Sequence, residues 1–100
     1  MKTLLLIILL TTSQFSFAYS NNEIECLAKS TYLEGRSLNK TLWIEIAKVA
    51  VKRSKNPHKY SSKSANLCDI VATKEYTSSK LLHKPIKEKK IYAKILSTLQ

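Results

Sequence analysis

The chain has 100 residues, which bounds it at one small domain. Lys and Arg outnumber Asp and Glu by 17 to 7, a formal charge of +10 that suits polyanionic surroundings, although basic charge also simply keeps a small secreted protein soluble. The basic residues are almost all lysine, with no arginine-rich run, helix-turn-helix cue or RNP-like motif. With Cys26, Cys68 and two isolated histidines, His58 and His83, there is no zinc-like spacing either, so nucleic acid, metal and cofactor are not expected.

Met1-Lys2 is a short positive segment, and an apolar run from Leu4 to Leu10 follows it. Small residues stand at Ser16 and Ala18. This predicts a secretory signal peptide over 1–18, cleaved after Ala18, with 19–100 as the mature domain. The apolar run is too short to span a bilayer, so an uncleaved anchor is the weaker alternative. The expected location is the periplasm or the extracellular cell wall. In that oxidising setting Cys26 and Cys68 are expected to pair. Closing a loop of about 43 residues contributes roughly 4 kcal/mol on the chain-entropy account, a large share for a domain this size.

Asn21 or Asn22 is expected to cap the first helix. Ile24, Leu27, Ala28, Thr31 and Tyr32 then form one apolar stripe at i, i+3, i+4, i+7 and i+8. Glu34 falls on the flank of that stripe, and Gly35 directly after it reads as the helix stop. A carboxylate at the lip of an apolar face can be partly desolvated, which raises its pKa and suits a general acid. Spacing alone favours a solvated helix-end residue over that role. Ser37 to Lys40 is expected as a loop, with Asn39-Lys40-Thr41 a formal glycosylation acceptor.

Thr41 to Arg53 is the most periodic segment. Its wide apolar face of Leu42, Trp43, Ile46, Ala47, Val49, Ala50 and Val51 predicts the central core helix. Lys52 and Arg53 suit its negative C-terminal end, and Asn56-Pro57 stops it. Asn56 to Ala65 shows no periodicity and reads as a loop. Asn66 is a cap for a short helix over Leu67 to Ala72, pinned to the first helix through Cys68. Thr73 to Lys84 alternates poorly and is expected to be irregular or weakly extended. Pro85 fits the first position of a last helix, whose stripe is Ile91, Tyr92, Ile95, Leu96 and Leu99, with Lys87, Lys89, Lys90 and Lys94 outside. Three or four helices around one core, stapled once, is the expected fold.

With these elements placed, the chain resembles the SleB-type cell-wall hydrolases, the spore-cortex-lytic family. Glu25-Cys26-Leu27-Ala28, Tyr32 and Glu34-Gly35-Arg36 are similar to that family's ECLA-x-x-x-Y-x-E-A-R helix. Ile46 to Arg53 is similar to its VAQVVLNR helix. Asn66-Leu67-Cys68-Asp69-Ile70-Val71 is similar to its x-VCxVV segment, and Glu75-Tyr76-Thr77-Ser78 stands in the place of its QFSW stretch. The resemblance runs from Glu23 to Leu99. It implies a small lysozyme-like, mainly α domain acting on the glycan strands of peptidoglycan, as a lytic transglycosylase with Glu34 as catalytic acid and base. It places Tyr76 and Thr77 near the substrate cleft as sugar-binding residues, and packing or turn roles fit them equally well. Departures are Gly35 for alanine, Lys52 for asparagine and Ser78 for tryptophan. The family's further GATHYH-like motif has no counterpart before Gln100, which leaves part of the expected groove unbuilt. A monomer meeting peptidoglycan and an anionic wall surface is expected. The alternatives are a catalytically inactive wall-binding relative and a small basic secreted effector or inhibitor.

Overall fold

A helix leaves its first amides without internal acceptors, and the residue that meets this need sets where the chain begins to coil. The computed structural model describes residues 19–100, and in it that residue is Ser20. Its hydroxyl accepts from the Glu23 amide at 3.1 Å, while the Glu23 carboxylate accepts from the Ser20 amide at 3.4 Å, a reciprocal capping box. The expected caps Asn21 and Asn22 are instead the first two residues of α1, Asn21–Gly35. The expected signal peptide, residues 1–18, lies outside the described residues.

The predicted stripe of α1 is buried throughout, from Ile24 to Tyr32. Gly35 does not act as a left-handed stop. No glycine has a positive φ, Gly35 is still helical, and Arg36 continues in the right-handed region. Its lack of a side chain serves a close approach, since a Cβ there would lie 2.7 Å from Ile46 Cδ1 and 2.9 Å from Leu38 Cδ1. The Trp43 indole donates to the Gly35 carbonyl at 2.7 Å and locks the corner.

Asn39 starts α2, Lys40–Ser54, by accepting from the Leu42 amide at 3.0 Å. The side chain of the formal glycosylation acceptor is therefore a helix cap. Trp43, Ala47 and Ala50 are buried, but Leu42 and Val49 are 42% and 46% exposed, so the wide apolar face is only partly covered. The central position belongs to α1, which packs against α2 and both later helices. The inward positions of α2 at 47 and 50 are alanines, so it meets its neighbours closely but over a narrow strip.

After α2 a 3-10 turn over Pro57–Tyr60 interrupts the segment expected as plain loop. Asn66 then accepts from the Cys68 amide at 2.9 Å and opens α3, Leu67–Val71, which buries Leu67, Ile70 and Val71. The expected bridge is present, joining Cys26 of α1 to Cys68 of α3 with Cα atoms 5.1 Å apart. The second oxygen of Glu23 accepts from the Leu67 amide at 3.0 Å.

The stretch expected to be weakly extended instead closes on itself. Tyr76 N donates to Thr73 O at 3.1 Å and Ser79 N to Tyr76 O at 3.2 Å, leading into a 3-10 helix, Thr77–Leu81. Its β-branched residues have no neighbouring strand to pair with, because no strand occurs among the described residues. The last helix, α4, spans Lys89–Leu99 and begins four residues beyond the expected Pro85. Glu88 precedes it but makes no side-chain cap bond. Its carboxylate instead accepts from Tyr32 Oη at 3.2 Å and pairs with Arg36 Nε at 2.9 Å. Ile95 and Leu99 are buried and the four flanking lysines are exposed, as the stripe predicts. Among the described residues the fold is mainly α, with four helices and one disulfide.

Candidate functional site

The C-terminal end of α1 meets the 3-10 helix Thr77–Leu81 through one carboxylate. Glu34 Oε2 accepts from the Ser78 amide at 3.3 Å and from Thr77 Oγ1 at 3.4 Å. Its other oxygen has no partner among the described residues, and no lysine or arginine pairs with it. The residue is exposed rather than set in an apolar lip, which corrects the expected desolvation.

Glu34 forms one wall of a groove of about 370 Å³. Ile46 and Val49, from the uncovered edge of α2, make an apolar wall. Arg53, at the end of the same helix, and Glu75, Tyr76 and Thr77 complete the lining. The fold thus brings Glu34, Tyr76 and Thr77 together in one groove. Cys26 and Cys68 lie at the other end of α1, eight residues or about 12 Å of helix away.

Tyr76 is 8% exposed, and its hydroxyl, like Ser78 Oγ, is buried with no hydrogen-bond partner among the described residues. Burial pushes the Tyr76 pKa above the usual tyrosine value; the Arg53 charge opposes that shift and the Glu34 carboxylate adds to it. Arg53 lies 5.1 Å from the Tyr76 ring centroid and 4.9 Å from that of Tyr60, within cation–π range of both.

Sequence reasoning gave Arg53 only a helix-end role and found no acid pair, yet Arg53 and Glu75 both line this groove. The signal that would have found them is tertiary: Tyr60 and Tyr76 reach Arg53 from separate turns, and no local spacing announces that. Among the described residues no three His, Cys, Asp or Glu side chains cluster closely enough to hold a metal ion.

A second cavity, of about 390 Å³, opens between Tyr32, Leu33 and Arg36 of α1 and the Leu81–Glu88 segment. Its one carboxylate, Glu88, is already engaged by Arg36 and by the Tyr32 hydroxyl, while Lys84 and Lys87 on the same lining have no ion pair among the described residues. The Glu34 groove differs in that its carboxylate keeps one oxygen without a partner among the described residues. Neither a protein-family model, nor a curated protein, nor a solved structure matches the chain.

Proposed function

We propose that the protein is an exported enzyme that cleaves the glycan strands of peptidoglycan by lytic transglycosylation, with Glu34 as its acid and base. The observation that carries this reading is the Glu34 groove itself. One carboxylate oxygen is anchored by Thr77 and Ser78 while the other is open to a ligand, beside an unpartnered Tyr76 hydroxyl. Protonated Glu34 donates its proton to the glycosidic oxygen as the bond to the anomeric carbon breaks. The resulting carboxylate then takes the proton of the same sugar's C6 hydroxyl, whose oxygen closes onto the anomeric carbon. One carboxyl group performs both transfers, and no water enters. Tyr76 and Thr77 supply hydroxyls to the sugar, and the charge of +9 that remains once Lys2 is removed with residues 1–18 draws the protein to an anionic wall. The Cys26–Cys68 bridge suits an oxidising compartment.

A wall-clearing assay tests this. Native protein is expected to clear purified peptidoglycan and release anhydro-sugar ends, and Glu34→Gln to lose about 10²-fold or more of that rate with unchanged melting, since the side chain is exposed. Native protein that leaves the wall intact overturns the reading, and equal clearing by Glu34→Gln overturns the role of Glu34. Protein that pellets with peptidoglycan but never clears it is a wall-binding relative. Glu75 raises one further distinction, because hydrolysis by two carboxylates needs a second acidic residue in the groove. Reducing-end products without anhydro ends, lost in Glu75→Gln, would assign that chemistry.

A further inference from the structure

The guanidinium of Arg53 is held in an unusual state for a charged group in a groove wall. One face of the side chain lies 4.9 Å from the Tyr60 ring centroid and the group also sits 5.1 Å from that of Tyr76. Among the described residues it makes no ion pair and no side-chain hydrogen bond. Both rings lie within cation–π range of the guanidinium carbon, and its N–H groups have no acceptor among the described residues. Such a fork matches a carboxylate through two parallel hydrogen bonds, and prior orientation removes much of the ordering cost of forming them. Lys59, outside the groove lining, lies 5.8 Å from the centroid of the same Tyr60 ring. Glu34 and Glu75 also line the groove, so it has an acidic part and a cationic part. A neutral glycan does not use the cationic part.

We propose that Arg53, clamped by Tyr60 and Tyr76, is a carboxylate-recognising subsite of the Glu34 groove, and that the ligand is a glycan carrying a carboxylate beside the sugar ring. This rests on the reading that the groove binds peptidoglycan strands. There the carboxylate belongs to the muramoyl unit, either on its lactyl group or on the peptide attached to it. A carboxylate seated on Arg53 fixes the register of the strand, so the sugar presented to Glu34 is set by charge and not by ring shape alone.

The test compares two disaccharides that differ only in the lactyl group. N-acetylglucosaminyl-N-acetylmuramic acid carries it, and N,N′-diacetylchitobiose (hereafter chitobiose) does not. Titration of the full chain, followed through the Arg53 side-chain and Tyr76 backbone NMR signals, is expected to show about tenfold or tighter binding of the muramic acid form. Arg53→Gln is expected to remove that preference, so that the two disaccharides bind the variant equally. Arg53→Lys, which keeps the charge without the planar fork, is expected to retain only a small part of it. Equal binding of the two disaccharides by the native protein overturns the proposal whatever the variants do. An undiminished preference in Arg53→Gln or, should that variant not fold, in Arg53→Lys also overturns it. A muramoyl dipeptide, whose lactyl carboxylate is an amide, separates the sources. Binding that still depends on Arg53 assigns the peptide carboxylate, and its loss assigns the lactyl group. None of these measurements needs turnover, so an Arg53-dependent preference without wall clearing leaves this subsite standing while removing the enzymatic reading. Wall clearing without the preference does the reverse.

Discussion

At its N-terminal end α1 gives a partner to each polar group that the fold draws inward. Ser20 and Glu23 cap one another, the second Glu23 oxygen takes the Leu67 amide, and Cys26 is bonded to Cys68. Eleven residues after Glu23 the last turn of the same helix carries Glu34, in surroundings of the opposite kind. Among the described residues one carboxylate oxygen has no partner, Arg53 has no acceptor, and the Tyr76 and Ser78 hydroxyls are buried without partners. Buried polar groups are ordinarily satisfied, and each exception calls for an explanation. A domain of this size has little stability to spare. It tolerates such a groove because covalent and capping interactions hold the far end of the same helix. The two ends therefore divide the work of folding and of binding.

The widest separation between the ends should come from opening the staple. Cys26→Ser is expected to lower stability by about 2–5 kcal/mol, read by urea unfolding, and reduction of the native protein should do the same. Residual folded protein should keep its affinity for glycan, because the bridge is eight residues from Glu34 along the helix. Melting that does not change on reduction would show that the caps and core alone hold α3 to α1.

A smaller effect is expected from Glu23→Ala. This change opens the capping box and leaves the part-buried Leu67 amide without an acceptor, at a cost of about 1–2 kcal/mol. Because Glu23 and Cys26 both tie α1 to α3, the two losses should not add, and a double-mutant cycle should reveal coupling. Additivity would mean that the box acts only within α1.

The same contrast explains what could be read before the fold was known. The stapled end is written in local terms: apolar positions three and four apart, an asparagine before Leu67, and an even pair of cysteines. Even there the cap was displaced to Ser20, because three neighbouring residues all have side chains suited to capping. At the groove end the local signals mislead. Gly35 looks like a left-handed stop, yet it is glycine because Ile46 and Leu38 come close to it. Pro85 looks like a helix start, yet Tyr32 and Arg36 take the Glu88 carboxylate, and α4 begins only at Lys89. Glu34, Tyr76 and Thr77 were legible as candidates through resemblance to a family motif. Arg53 between two tyrosines was not, since Tyr60 and Tyr76 approach it from separate segments.

The smallest expected change in stability, and the most discriminating, comes from Tyr76→Phe. It keeps the ring under Arg53 and deletes only a buried hydroxyl that has no partner. Stability near neutral pH is expected to stay level or rise by up to about 1 kcal/mol, since the desolvated hydroxyl is removed and no bond is lost. Glycan affinity should nonetheless fall about three- to tenfold, the value of one hydrogen bond to a ligand. Burial, with the Glu34 charge adding and Arg53 opposing, raises the folded-state pKa of Tyr76 above 10.0. The folded state therefore holds this proton more tightly than the unfolded chain does. The associated stability is fully present below pH 10 and is lost as the pH rises through the raised value. Tyr76→Phe should remove that part of the alkaline loss. The part due to Tyr92, raised by its own burial and then by Glu25, should remain. A variant weaker than native at neutral pH would mean that the hydroxyl serves the fold, and the groove end would then resemble the stapled end. A variant at least as stable but poorer at binding would mean that the fold keeps an unsatisfied group because a ligand satisfies it.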